Sequence, residues 1–187
     1  MKIYYREKSG GIEILRCFGI EGRVEIPGMI DDKLVISAAP YAFSSHMDEK
    51  EDLKNASLWE VSDGLEFGRE EHVLAGNDVE EIVFPYTLKE IGRYIFYGCG
   101  NLKKLEFSDS LMQIGCGAFT GCHALEKLTV HMRQGKKSGV KEMLGEMWQR
   151  IDVNFLYEYE EARLVFPEHY DEAVSYTHLR AHETSLH

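Results

Sequence analysis

"IGRYIFYGC" runs from Ile91 to Cys99, and "IGCGAFTGC" runs from Ile114 to Cys122. The two stretches lie 23 residues apart and nearly repeat one another. The same offset superposes Val79, Leu102 and Leu125, then Ile82, Leu105 and Leu128, then Phe84, Phe107 and Val130. It also pairs Leu88 with Leu111, Gly92 with Gly115, Phe96 with Phe119 and Gly98 with Gly121. Apolar positions and glycines recur while most positions between them vary. That pattern marks a stacked structural unit rather than low complexity.

Each unit has one physical grammar. In "LKKLEF" Leu102, Leu105 and Phe107 face inward, the last two at the spacing of two that a strand requires. "SDSLMQIG" turns the corner at Gly115, and "GAFTGC" returns with Phe119 and Cys122 inside. Such a unit buries only a handful of large apolar side chains, at roughly 1.5–3 kcal/mol each. Every ordered residue costs roughly 1–2 kcal/mol of backbone entropy. A single unit therefore cannot stand alone and must stack on neighbours as a solenoid. A degenerate first copy lies upstream. In "VEIPGMIDDKLVISAAPYAF" Val24 and Ile26 take the strand positions, Pro27 the place of Pro85 and Phe43 that of Phe96. Terminal repeats are expected to be atypical because they cap the core.

Val24–Phe43 and Val79–Val130 resemble the BspA-like class of leucine-rich repeats, whose pattern is an "L-x-x-L-x-hydrophobic-P" strand followed by "hydrophobic-x-x-I-G-x-x-A-F-x-x-C". Ala118 keeps the usual alanine where Ile95 departs from it, and Ser108 stands where Pro85 stands one repeat earlier. The resemblance implies an α/β leucine-rich-repeat solenoid with one short parallel strand per repeat. An insertion follows the first repeat, and a small α+β cap closes the C-terminal end. It also implies binding of proteins or glycans rather than chemistry.

The expected organisation is a cap and degenerate repeat over residues 1–46, an insertion over 47–78 and repeats over 79–131. A helix-plus-strand cap over 132–173 and a tail over 174–187 follow. In the insertion "MDEKEDLKNA" suits a short helix and "LWEVSDGLEFG" a hairpin turning at Asp63–Gly64. It is either a solvated loop with Trp59 tucked in or a partner contact. In "SGVKEMLGEMWQRIDV" Val140, Met143, Leu144, Met147, Trp148 and Ile151 share one helical face. That face either caps the solenoid or offers a groove helix to a partner. "VNFLYEYEEARLVFPEHY" suggests two strands about a turn near Glu160–Glu161.

The chain carries 21 Lys and Arg against 32 Asp and Glu, a net charge of −11. The only basic run, Arg133–Lys141, is met at once by Glu142 and Glu146. Nucleic acid and anionic membrane surfaces are disfavoured as partners. The N-terminus lacks the apolar run of a secretory signal, so the expected location is the cytoplasm, with the cell surface as the alternative. The four cysteines, Cys17, Cys99, Cys116 and Cys122, are then expected as thiols.

Several features invite a catalytic or metal reading. Cys99 and Cys122 sit one repeat apart, within disulfide reach, or serve as two small buried fillers. Cys116 aligns with Arg93 and is expected on the outside. "YGCGN" and "GCGAFTG" are repeat glycines rather than phosphate loops. His178 and His182, with Glu183 beside them, have the spacing of a zinc pair. However, "VSYTHLRAHET", Val174–Thr184, resembles a translated sequencing adapter. Residues 174–187 are accordingly expected to be read-through, with the natural protein continuing past Ala173. No catalytic residue, cofactor or metal site is assigned.

The functional surface expected from the repeat is the outer face of the strands. It aligns Glu80, Lys103 and Glu126, then Glu81, Lys104 and Lys127. Val83, Glu106 and Thr129 follow, and then His131 beside Ser108. These residues read as a solvated, laterally paired face or as a polar strip that recognises a protein. The expected function is a non-enzymatic, protein-binding scaffold. The alternatives are a cell-surface adhesin of the same fold or the targeting region of a larger enzyme.

Overall fold

The computed structural model describes residues 1–47, 53–61, 71–135, 137–145 and 151–158. Strands β1 (Lys2–Lys8) and β2 (Gly11–Gly19) form an antiparallel hairpin. They are followed by β3 (Arg23–Glu25), β4 (Met29–Ile30), β5 (Lys33–Ala38), β6 (Ser57–Glu60) and β7 (His72–Val73). The repeats then contribute β8 (Glu81–Val83), β9 (Glu90–Ile91), β10 (Lys104–Ser108), β11 (Gln113–Ile114) and β12 (Lys127–Arg133). Helix α1 (Val140–Leu144) and strand β13 (Asp152–Glu158) complete the described elements.

Two sheets result. One is parallel and five-stranded, in the order β13-β12-β10-β8-β3. The other has β11, β9 and β5 as short parallel rungs and continues into β2, β1 and β6. The repeat offset is the pairing register itself. Lys104 lies opposite Lys127 on one side and Glu81 on the other, and Gln113 lies opposite Glu90. The degenerate first copy enters in the expected register, with Val24 opposite Ile82. The solenoid expectation holds.

The core runs along the axis of the stack. Ile82, Leu105 and Leu128 are fully buried beneath the parallel sheet. On the opposite side Phe43, Phe96 and Phe119 form a ladder, with ring centroids 5.9 and 5.7 Å apart. Beside it the thiol of Cys99 donates to the carbonyl of Phe43 at 3.1 Å, and that of Cys122 to Phe96 at 3.3 Å. A cysteine here fills space and satisfies a carbonyl of the preceding coil.

Close coil approach explains the glycine shared by the corners at Gly92 and Gly115. A side chain at Gly115 would place its Cβ 2.2 Å from the backbone nitrogen of Arg93, so only glycine fits. Two residues on, Tyr41, Tyr94 and Gly117 occupy equivalent places at φ 59°, 51° and 65°. The two tyrosine rings stack at 5.6 Å, and Gly117 leaves the space that the ring of Tyr94 fills.

The N-terminal end is closed by the β1–β2 hairpin, which lays β2 on β5. Arg16 on β2 is buried and its Nη1 donates to the carbonyls of Tyr41, Ala42 and Ser44 at 3.3, 3.1 and 2.7 Å. These carbonyls end the first turn of the stack, and the guanidinium supplies donors that no preceding coil is there to give.

Two expectations are corrected. The described part of the 47–78 segment is not a loop over the repeats: β6 pairs antiparallel with β1 and β7 with β2, widening the N-terminal sheet. Trp59 is partly buried there against the main core. The expected Asp63–Gly64 hairpin turn and half of the expected helix, residues 48–52, lie outside the described residues, and Leu53–Asn55 form a turn. At the other end the stack does not stop at His131. β12 continues to Arg133, and β13 pairs with it in parallel over seven residues as a fifth rung. The described helix is short, with Val140 and Leu144 buried and Gly145 as its C-cap at φ 55°. Ile151 packs on the core from the start of β13 rather than from the helix. Met147, Trp148, the second expected strand and the histidine tail lie outside the described residues. No described helix is long and apolar enough to cross a membrane.

Candidate functional site

The outer face of the five-stranded sheet is built by alternation. Between the buried Ile82, Leu105 and Leu128, the residues on either side turn outward. Because the strands are parallel and in register, equivalent outward residues form straight rows across the coils. One row reads Arg23, Glu81, Lys104, Lys127, Asp152. The next reads Glu25, Val83, Glu106, Thr129, Asn154. Ser108, His131 and Leu156 follow.

The rows pair laterally. Lys103 bonds Glu80 at 2.9 Å, and this hydrogen bond, reinforced by charge attraction, raises the pKa of the Lys103 ammonium above the usual lysine value. Glu81 lies between Arg23 at 3.8 Å and Lys104 at 3.7 Å. The imidazole of His131 is 3.0 Å from the carboxylate of Glu106, and the ring of Tyr86 meets it edge-on at 5.5 Å. The exposed pairs contribute under about 1 kcal/mol each.

Of the residues expected on this face, Glu80, Lys103, Lys104, Glu126 and Lys127 are exposed. Glu81, Val83, Glu106 and His131 are half-buried. Thr129 is corrected: it is only 4% exposed, flanked by Glu106 and by Asn154 of β13, and offers a partner nothing. Arg23 and Glu25 at one end, and Asp152 and Asn154 at the other, join the face and were missed. Their signal was present, since placing Val24 on a strand position puts Arg23 and Glu25 outward. "DVNFLYE" alternates as a strand but follows a break in the repeat.

The thiols divide by burial. Burial pushes Cys17 up to about 12, and does the same for Cys99 and Cys122, the last raised further by the charge of the neighbouring Cys99. Cys116 is exposed, as its alignment with Arg93 suggested. A thiol pKa raised by folding stabilises the native state below the unfolded value of about 8.5. That contribution is lost as pH rises towards about 12. With iodoacetamide at pH 8, the exposed Cys116 is expected to react first, the partly buried Cys122 more slowly, and the buried Cys17 and Cys99 only after denaturation. Equal labelling of all four in the native protein would contradict this. Among the described residues no group of three His, Cys, Asp or Glu side chains could hold a metal ion.

Parallel rungs stacked at a fixed offset, one per repeat, define a leucine-rich-repeat solenoid. Residues 70–139 match the family described as "BspA type Leucine rich repeat region (6 copies)". Among solved structures, a leucine rich cell surface protein from Faecalibacterium prausnitzii A2-165 is similar at 18% identity and a TM-score of 0.43, over 70% of this chain. This chain spans 30% of that protein's length. The T. pallidum Leucine Rich Repeat protein is similar at 22% identity and a TM-score of 0.34, with 82% of this chain and 79% of that one covered. No curated protein matches the chain.

Proposed function

We propose that this chain is a non-catalytic scaffold that binds a protein partner on the outer face of its parallel sheet. The observation that carries the reading is the set of in-register rows of outward charged residues, rigidly spaced by the strand pairing. In this reading residues 1–46 close one end and 79–131 carry most of the face. The segment after 131 extends it by one rung. The net charge of −11 favours a partner with basic patches and disfavours nucleic acid.

Lys103, Lys104 and Glu106 are the residues to reverse, since they hold the centre of the face. The triple variant Lys103→Glu, Lys104→Glu, Glu106→Lys is expected to weaken capture of the native partner by at least about tenfold, or ~1.4 kcal/mol. Reversal of the exposed Lys103 and Lys104 should leave folding intact, and because Glu106 is half-buried against His131 the urea midpoint is read on the triple variant and on Lys103→Glu, Lys104→Glu alone. Failure to recover any partner reproducibly, or recovery indifferent to the reversal, would count against the reading.

A further inference from the structure

Opposite charges alternate across most of the outer face. Glu80 and Lys103 are ion-paired at 2.9 Å, and Glu81 is shared between Arg23 and Lys104 at 3.8 and 3.7 Å. The alternation breaks one rung further on, where Lys127 lies directly opposite Lys104. Like charges so placed repel one another. The chain has acids to spare, with a net charge of −11, and still sets two lysines side by side. Asp152 lies opposite Lys127 on the far side, yet no ion pair joins them, and among the described residues neither has another charged partner. Lys104, Lys127 and Asp152 are all exposed. Local conflicts of this kind concentrate at functional sites. The two lysines thus form a positive spot, flanked across the strands by Glu81 and Asp152. Neighbouring strands are roughly 4.7–4.9 Å apart, so the midpoint between Lys104 and Lys127 lies about 7 Å from Asp152. Two residues of extended chain span roughly 6.4–6.8 Å and put both side chains on one face.

We infer that this face recognises an extended polypeptide segment lying across the strands, with an acidic residue seated between Lys104 and Lys127 and a basic residue two positions along seated on Asp152. The carboxylate bridges the two ammonium groups and offsets their repulsion. The basic side chain gives Asp152 the partner that Lys127 does not. Glu81 cannot take that basic residue instead, since its carboxylate is already held between Arg23 and Lys104. Glu81 and Asp152 also repel an acidic residue shifted by one rung to either side, which fixes the register. A polyanion such as nucleic acid fits poorly, because its repeated charges fall on those acids as well. The inference rests on the protein-binding reading of the face and names the partner's chemistry there.

The test uses the full chain and two end-blocked synthetic peptides of the same composition. Thr-Asp-Thr-Lys-Thr places acid and base on one face, and Thr-Asp-Lys-Thr-Thr places them on opposite faces. In NMR titrations at low ionic strength the first should shift the amide signals of Lys104, Lys127 and Asp152 saturably. Its affinity should exceed that of the second by about tenfold, or ~1.4 kcal/mol. Added salt should weaken it. Lys127→Glu should weaken the first peptide by a similar factor. Lys127→Gln, which only removes the charge, should weaken it less and covers the case in which the reversal disturbs the fold. The urea midpoint of Lys127→Gln should equal or exceed the parent's, because the repulsion from Lys104 is gone. The inference is overturned if neither peptide binds saturably, if the two bind alike, or if both variants bind as the parent does. A lower midpoint for Lys127→Gln would equally overturn it, since the lysine would then serve the fold. If native-partner capture is lost on reversing Lys103, Lys104 and Glu106 while peptide binding ignores position 127, this inference falls and the face reading stands.

Discussion

Phe96→Ala is expected to cost about 3–5 kcal/mol, the range for truncating a buried aromatic. Phe96 is 0% exposed and sits in the middle of the aromatic ladder, with Phe43 on one side, Phe119 on the other and Phe84 at 6.2 Å. Its loss opens a void that the neighbouring coils cannot close, because Gly92 and Gly115 already hold their backbones at the limit of approach. In a stacked array stability is divided between units and their interfaces, and this side chain belongs to two interfaces at once. Urea denaturation is the measurement. The midpoint should fall sharply, and a reduced slope would show the two halves of the stack unfolding separately. Phe119→Ala should cost clearly less, since Phe119 lies on the last turn of the ladder and is only half-buried. Equal costs would mean that the final turn is covered as fully as the central one.

The second large effect belongs to Asp109, whose side chain is wholly buried. Its carboxylate accepts from the backbone N–H of Arg133 and from Arg133 Nε, both at 2.9 Å, while its own N–H donates to the carbonyl of His131. It fastens the end of β10 to the end of β12. Asp109→Ala should destabilise by about 3 kcal/mol, because it strands a largely buried guanidinium whose Nη2 has no hydrogen-bond partner among the described residues. Removing both charges is the sharper test. Asp109→Ala with Arg133→Leu should be more stable than Asp109→Ala alone, as a double-mutant cycle would measure. A single-variant cost under about 1 kcal/mol, within the range of an exposed pair, would mean that water replaces the carboxylate.

The parts of the fold that could be read from sequence are those with a fixed period. Every strand pair from β8 to β12 falls at the offset given by Ile91–Cys99 and Ile114–Cys122, because parallel stacking makes sequence offset and spatial neighbour the same thing. Legibility failed where the period changed. From β12 to β13 the partner of Lys127 is Asp152, 25 residues on, and a helix replaces the phenylalanine turn. The strand survived while its signature vanished, so a fifth rung read as a cap and Thr129 read as exposed. At the N-terminus β2 joins the stack in parallel on β5 and is itself paired antiparallel with β1, which leaves no trace in a repeat alignment. The turn at Ser9–Gly10, with Gly10 at φ 91°, was the available local sign. The half-burial of Glu106 and His131 depends on lateral neighbours and cannot be read from one strand alone.

The identity of sequence offset and spatial neighbour has a consequence for how such a chain can change in length. Because Gly115 approaches the backbone of Arg93 as Gly92 approaches that of Pro40, the corner of one coil is interchangeable with the corner of the next. Excising residues 93–115 would join Gly92 to Cys116 and leave each hydrogen-bonding group on the remaining coils facing a group of the same kind. A recombination event between repeats would do the same or the reverse. The molecule can therefore lengthen or shorten its face by whole rungs without redesigning its core, whereas an insertion that is not a multiple of the coil must find its pairing outside the rungs, as β6 and β7 do on the hairpin strands β1 and β2.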